Sequence, residues 1–123
     1  MAATPKERKY VTQLIEENLR RQGPYLDLGR CGLDGTEEEL RLLEECTHLE
    51  TLVFSNMWEE YEKQKQVGKT SQNEGFQNMF IQVPTHLPQN LRKLVLAVHW
   101  YDDWKISDFS FLKGLTQLQE LNL

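Results

Sequence analysis

From residue 25 onward, apolar and polar positions alternate in four short bursts separated by longer mixed stretches. The bursts are Tyr25-Leu26-Asp27-Leu28-Gly29, Thr51-Leu52-Val53-Phe54-Ser55, Lys93-Leu94-Val95-Leu96-Ala97 and Gln119-Glu120-Leu121-Asn122-Leu123. Successive side chains of a strand point to opposite faces, so the pattern predicts short strands near 25–29, 51–55, 93–97 and 119–123. Upstream, Val11, Leu14, Ile15 and Leu19 follow helical spacing. Thr4-Pro5-Lys6-Glu7 supplies a hydroxyl cap, a proline at the first helical position and a glutamate three residues after the cap. Together these predict a helix over 4–22, stopped by Gly23-Pro24. Thr36-Glu37-Glu38-Glu39 has the form of a second capping box and predicts a helix to about Glu45, with Leu40, Leu43 and Cys46 toward the strands.

The bursts repeat. Leu49, Leu91 and Leu118 each stand three residues before the first inward leucine, and taking Leu28, Phe54, Leu96 and Leu123 as equivalent gives steps of 26, 42 and 27 residues. The long middle step is one repeat plus about 15 residues, an insertion placed at about 58–80. Between Glu59 and Asn78 the apolar side chains are Tyr61, Val67 and Phe76, too few to offset the entropy of ordering, so a partly mobile excursion is expected. Met79-Phe80-Ile81-Gln82-Val83 reads as the return into the domain, and Pro84 and Pro88 bracket the approach to the third strand.

The pattern LxxLxLxxN/C resembles the leucine-rich repeat over nearly all of the chain after residue 23. The resemblance implies an α/β fold, a short solenoid with a parallel β-ladder on its concave face and the 4–22 helix as its cap, in a single domain spanning 1–123. Leu26, Leu28, Leu52, Phe54, Leu94, Leu96, Leu121 and Leu123 then face the core, with Thr51, Val53, Ser55, Lys93, Val95 and Ala97 on the concave side. At the asparagine-ladder position the chain has Cys31, Met57 and His99, so irregular turns are expected after the second and third strands. The stretch from Leu14 through Tyr25-Leu26-Asp27-Leu28-Gly29-Arg30-Cys31-Gly32-Leu33 resembles the start of bacterial leucine-rich-repeat proteins, including the N-terminal repeats of Roco-type proteins. In those, repeats regulate or recruit while a separate Ras-like domain handles nucleotide. The implied function is a protein–protein interaction scaffold, or alternatively a regulatory repeat fragment of a larger signalling GTPase. Because Leu123 falls inside a strand pattern, a fragment, or an assembly covering an open C-terminal repeat such as a homo-oligomer, is expected.

Charge narrows the partners. A net charge of −5 argues against nucleic acid, which selects a basic face. No run approaches the roughly 18 apolar residues of a membrane span, and the start lacks a secretory stretch, so a cytoplasmic chain without membrane contact is expected. Cys31 and Cys46 are then buried thiols. Residues 34–62 hold ten acids against Arg41, a solvated helix exterior in one reading and a docking surface for a basic partner in the other.

Candidate chemistry is sparse. Gly68-Lys69-Thr70 ends like a phosphate-binding loop, but Lys63 stands where the first glycine is required. His48, His86 and His99 lack the paired spacing of metal ligands, and there is no GxSxG elbow. No enzyme activity, catalytic residue, metal or cofactor is expected, although a small hydrolase using Asp102 and Asp103 is the rival reading. The candidate contacts for a protein or peptide are Thr51, Val53, Lys93 and Val95, with Trp100, Tyr101 and Trp104. Val53 and Val95 qualify as apolar groups facing water, and the aromatics serve either as a hot spot or as cover for the core.

Overall fold

A computed structural model describes residues 2–58, 71–98 and 104–123. They form a mixed α/β fold with helix α1 (Pro5–Arg21) and strands β1 (Tyr25–Asp27), β2 (Thr51–Val53), β3 (Lys93–Val95) and β4 (Glu120–Asn122). Two 3₁₀ helices, Glu38–Glu45 and Ser110–Gly114, precede β2 and β4. The sheet is wholly parallel and its spatial order is the chain order, with Leu26, Leu52, Leu94 and Leu121 side by side. Each strand lies within a predicted burst and is shorter than it.

Helix α1 begins as the sequence predicts. The Glu7 N–H donates to Thr4 Oγ1 (3.2 Å), and the Thr4 N–H donates back to Glu7 Oε1 (2.9 Å). It ends on Gln22, left-handed at φ 55, whose N–H bonds Asn18 O. Val11 and Ile15 are buried, and α1 packs on the Glu38–Glu45 helix and on β1.

The second capping box does not form. Thr36 gives both its N–H and its hydroxyl to Asp34 Oδ1, while the Glu37 carboxylate accepts N–H groups from Ala3, Asp34 and Gly35. A tight turn through Gly35, at φ 96, thus takes the side chains that would have capped an α-helix, and a 3₁₀ helix follows. Burial alone would raise the Asp34 carboxyl, but the bonds from Thr36, a hydrogen bond with Glu37 and the N-terminal charge together hold the group below the ordinary carboxylate range. Leu40, Leu43 and Cys46 are nonetheless buried against the strands.

One cluster joins Leu28, Leu33, Leu49, Leu52, Phe54, Leu91, Leu94 and Leu96. The three later strands are entered through the same turn: Leu49 donates to Cys46 O, Leu91 to Pro88 O and Leu118 to Leu115 O. Cys31 and Cys46 are free, buried thiols. Burial, with Glu45 nearby, pushes Cys46 up to about 11; burial, then Asp27 and Glu7, raises Cys31 as well. Among the described residues no helix is long and apolar enough to cross a membrane.

Candidate interaction surface

The strand face differs from the expectation in one respect that matters for binding. Val53 and Val95 are both 0% exposed, because Tyr25, Trp58 and Ala97 pack against them. The apolar patch expected there is covered, and the Lys93 ammonium lies 4.8 Å from the centre of the Trp58 ring, a cation–π stack that fixes the cover. Thr51 and Lys93 stay half-buried at the surface. Trp100, Tyr101, Asp102, Asp103 and His99 lie outside the described residues, as do Gly68-Lys69-Thr70. Trp104 belongs to the packing: its ring meets Phe80 edge-on at 4.8 Å, and its indole N–H donates to Asn78 O at 2.6 Å.

The insertion rejoins the fold at a place that sequence counting missed. Asn78 is fully buried and its side chain makes four bonds: Nδ2 donates to Leu28 O (2.8 Å) and Phe54 O (2.9 Å), and Oδ1 accepts from Cys31 N (3.0 Å) and Leu33 N (2.9 Å). Every hydrogen-bonding position of the amide is used. Met57 occupies the position counted from the strand and the turn there is irregular, as expected; the backbone groups are met instead by Asn78, supported by Asn56, which donates to Asn78 O and accepts from Asn78 N. Residues 54–77 intervene between β2 and Asn78. The signal was present, since Asn78-x-Phe80 repeats the spacing of Cys31-x-Leu33, with Trp104-x-Ile106 a third instance.

Residues 71–78 are also not a loose excursion. Ser71, Asn73 and Asn78 are buried. Ser71 Oγ donates to Asp27 Oδ2 (2.7 Å), and Asn73 Nδ2 donates to Asp27 O (3.0 Å) and Gly29 O (2.9 Å). Apolar content underestimates the order of this stretch because its anchoring is polar.

These bonds give the sheet two unlike edges. In the parallel ladder, Pro24, Leu26 and Leu28 bond toward β2, so the carbonyls of Tyr25 and Asp27 point outward. Both are taken, Tyr25 O by Asn18 Nδ2 (3.2 Å) and Asp27 O by Asn73 Nδ2. Asn18 is itself held by His48, with Nε2 and Oδ1 2.6 Å apart. On the far side, Gln119 and Glu120 donate to Arg92 O, and Asn122 O accepts from Leu96 N. The N–H and C=O of Leu121 consequently point away from β3, and among the described residues no strand pairs with them. Beneath this edge lies a groove of about 160 Å³ lined by Leu96, Val98, Trp104, Ile106, Phe109 and Leu123. Leu123 is 67% exposed, and Val98 and Phe109 are exposed as well.

A second, polar groove of about 400 Å³ runs between Gly35–Arg41 and Gln82–His86. Its buried carboxylate, Glu37, is occupied by backbone N–H groups, and His86 Nδ1 stands 2.9 Å from Glu44. Among the described residues no three His, Cys, Asp or Glu side chains converge as a metal site would require. No protein family, no characterised protein and no solved structure matches the chain.

Proposed function

We propose that this chain is a short leucine-rich-repeat solenoid, N-capped by α1, that serves as a protein-interaction module and receives its partner on the strand face around Thr51 and Lys93. The observation that carries the reading is the in-register parallel ladder, which brings Thr51 and Lys93 side by side on one face of the sheet. Asn18 and Asn73 cover the outward carbonyls of β1, which leaves the face rather than that edge accessible. The identical entry turns and the in-register leucines support the solenoid. Thr51, Lys93 and Trp58 form the accessible rim of the strand face. Val53 and Val95, being covered, do not contribute contacts in this conformation.

The test is capture of a partner from source extract on immobilised chain, comparing wild type with Val98→Asp and Thr51→Arg. Both positions are at the surface, and circular dichroism verifies that the variants fold. A partner held by wild type and by Val98→Asp, but reduced at least about tenfold by Thr51→Arg, is the expected result, equivalent to roughly 1.4 kcal/mol. Loss with Val98→Asp and retention with Thr51→Arg would move the site off the strand face and overturn the reading.

A further inference from the structure

We infer that Ser71–Asn73 are a built-in occupant of the β1 end of the strand face, which a partner displaces by setting a lysine or arginine on the Asp27 carboxylate. The inference rests on the reading of that face as the partner's site. Three observations carry it.

The first is position. Asp27, Val53 and Val95 stand in register across the sheet, two residues beyond the row of Tyr25, Thr51 and Lys93 and on the same face. All three are buried, the valines with Trp58 packed against them and Asp27 under the segment that leads to Asn78. Ser71 Oγ donates to Asp27 Oδ2 (2.7 Å), Asn73 Nδ2 donates to Asp27 O and Gly29 O, and Ser71 N donates to Asn56 O (3.0 Å).

The second is how this segment is held. Phe76 is the one apolar side chain between residues 71 and 77, and it is exposed. The attachments are polar among the described residues: besides the bonds above, the Tyr10 hydroxyl donates to Asn73 Oδ1 (2.7 Å) and Gly32 N to Phe76 O (2.9 Å). Water replaces a lost hydrogen bond but not lost apolar burial, so the segment opens at a cost below that of unfolding the chain. Asn78 and Phe80, both buried, keep its tether in place.

The third is charge. Both Asp27 oxygens accept hydrogen bonds, Oδ1 from Gly29 N (2.8 Å) and Oδ2 from the Ser71 hydroxyl, as an ionised carboxylate does. A buried carboxylate has given up hydration, and a cation restores more of it than a neutral hydroxyl, because charge-assisted bonds are about twice as strong. Glu74 adds to the field at this end of the sheet: burial first, then Cys31, Asp27 and Glu74, raise the Tyr10 hydroxyl. Arg30 gives its Nε–H to Gly75 O (3.4 Å). A basic side chain brought by a partner therefore outcompetes Ser71 at Oδ2.

Two peptides of residues 71–77 serve as probes, the native Ser-Gln-Asn-Glu-Gly-Phe-Gln and one carrying Ser71→Lys, each titrated into the isotope-labelled full chain. The tethered segment competes at an effective concentration on the order of millimolar, so the peptides are taken to about 10 mM. The lysine peptide is expected to shift the amides of Gly29 and Gly32 saturably, while the chain's own Ser71 and Asn73 amides move to unstructured positions. It should bind at least about threefold more tightly than the native peptide, within the range of a surface ion pair, and Asp27→Asn in the chain should remove that preference. Ser71→Ala with Asn73→Ala in the chain, its fold verified by circular dichroism, should tighten both peptides at least about threefold by removing the internal competitor. A segment that only stabilises the fold behaves otherwise: Ser71 and Asn73 amides that stay in place would overturn the inference. So would binding indifferent to the lysine, to Asp27 or to the alanine pair. Displacement by the peptide, with partner capture unaffected by Thr51→Arg, would uphold the exchange at Asp27 and refute the strand face as the partner's site. Unmoved amides, with capture lost in Thr51→Arg, would refute the exchange and leave the strand face standing.

Discussion

Asn78→Ala is expected to destabilise the fold by about 4 kcal/mol, a large fraction of the roughly 5–15 kcal/mol that holds a domain folded. The substitution removes one side chain but strands four buried backbone groups: the carbonyls of Leu28 and Phe54 and the N–H groups of Cys31 and Leu33. Leaving a buried donor or acceptor unmet costs about 1–3 kcal/mol each, and water entering the vacated space recovers part of the sum. These four groups lie in the segments that follow β1 and β2, so Asn78 ties the two strand ends together. Met57→Ala is the control, because Met57 stands at the position where sequence counting puts the ladder residue. Its cost is expected to stay below about 1 kcal/mol. Urea unfolding followed by circular dichroism measures both. Equal losses for the two variants would refute the anchoring role of Asn78.

Phe80→Ala is expected to cost about 3–5 kcal/mol, the range for removing a buried phenylalanine. Phe80 stands edge-on to Phe54 at 5.1 Å and to Trp104 at 4.8 Å, so its loss opens a cavity and breaks two aromatic contacts, each contributing about 0.5–1.5 kcal/mol beyond area. It is also the residue through which the returning insertion and the segment after β3 share one core, since Lys105 N–H donates to Phe80 O. Phe76, four residues earlier and 78% exposed, supplies the comparison. Phe76→Ala should change stability by no more than about 0.5 kcal/mol. A Phe80→Ala chain with an unshifted midpoint would mean that residues 79–83 do not return into the core.

The strands and their leucines were legible because a period of two with one buried face leaves little freedom of register. Leu26, Leu52, Leu94 and Leu121 align as the repeat predicts, and α1 starts at its capping box because both partners of that box lie within one turn. Where the structure differs, a competing partner took the group. Thr36 and Glu37 bond within the Asp34–Gly35 turn beside them, and Glu37 also accepts from the distant Ala3 N–H. Val53 and Val95 look like solvent-facing positions until Trp58, beyond the end of β2, folds back over them. Trp104 is an aromatic in a polar stretch, yet Phe80 and Asn78 O absorb both its ring and its N–H. The ladder asparagine was displaced by an insertion, so counting from the strand found a methionine. The closure of β1 was not legible, because it depends on two asparagine amides, one from a helix and one from an inserted segment.

The central claim is that four short segments, far apart in sequence, form one parallel ladder in chain order. Amide hydrogen exchange tests it most directly, residue by residue. Leu28, Phe54 and Leu96 donate to Val53 O, Val95 O and Asn122 O on the neighbouring strands and should all be protected. Exchange of these three amides near the rate of an unstructured peptide would contradict the account.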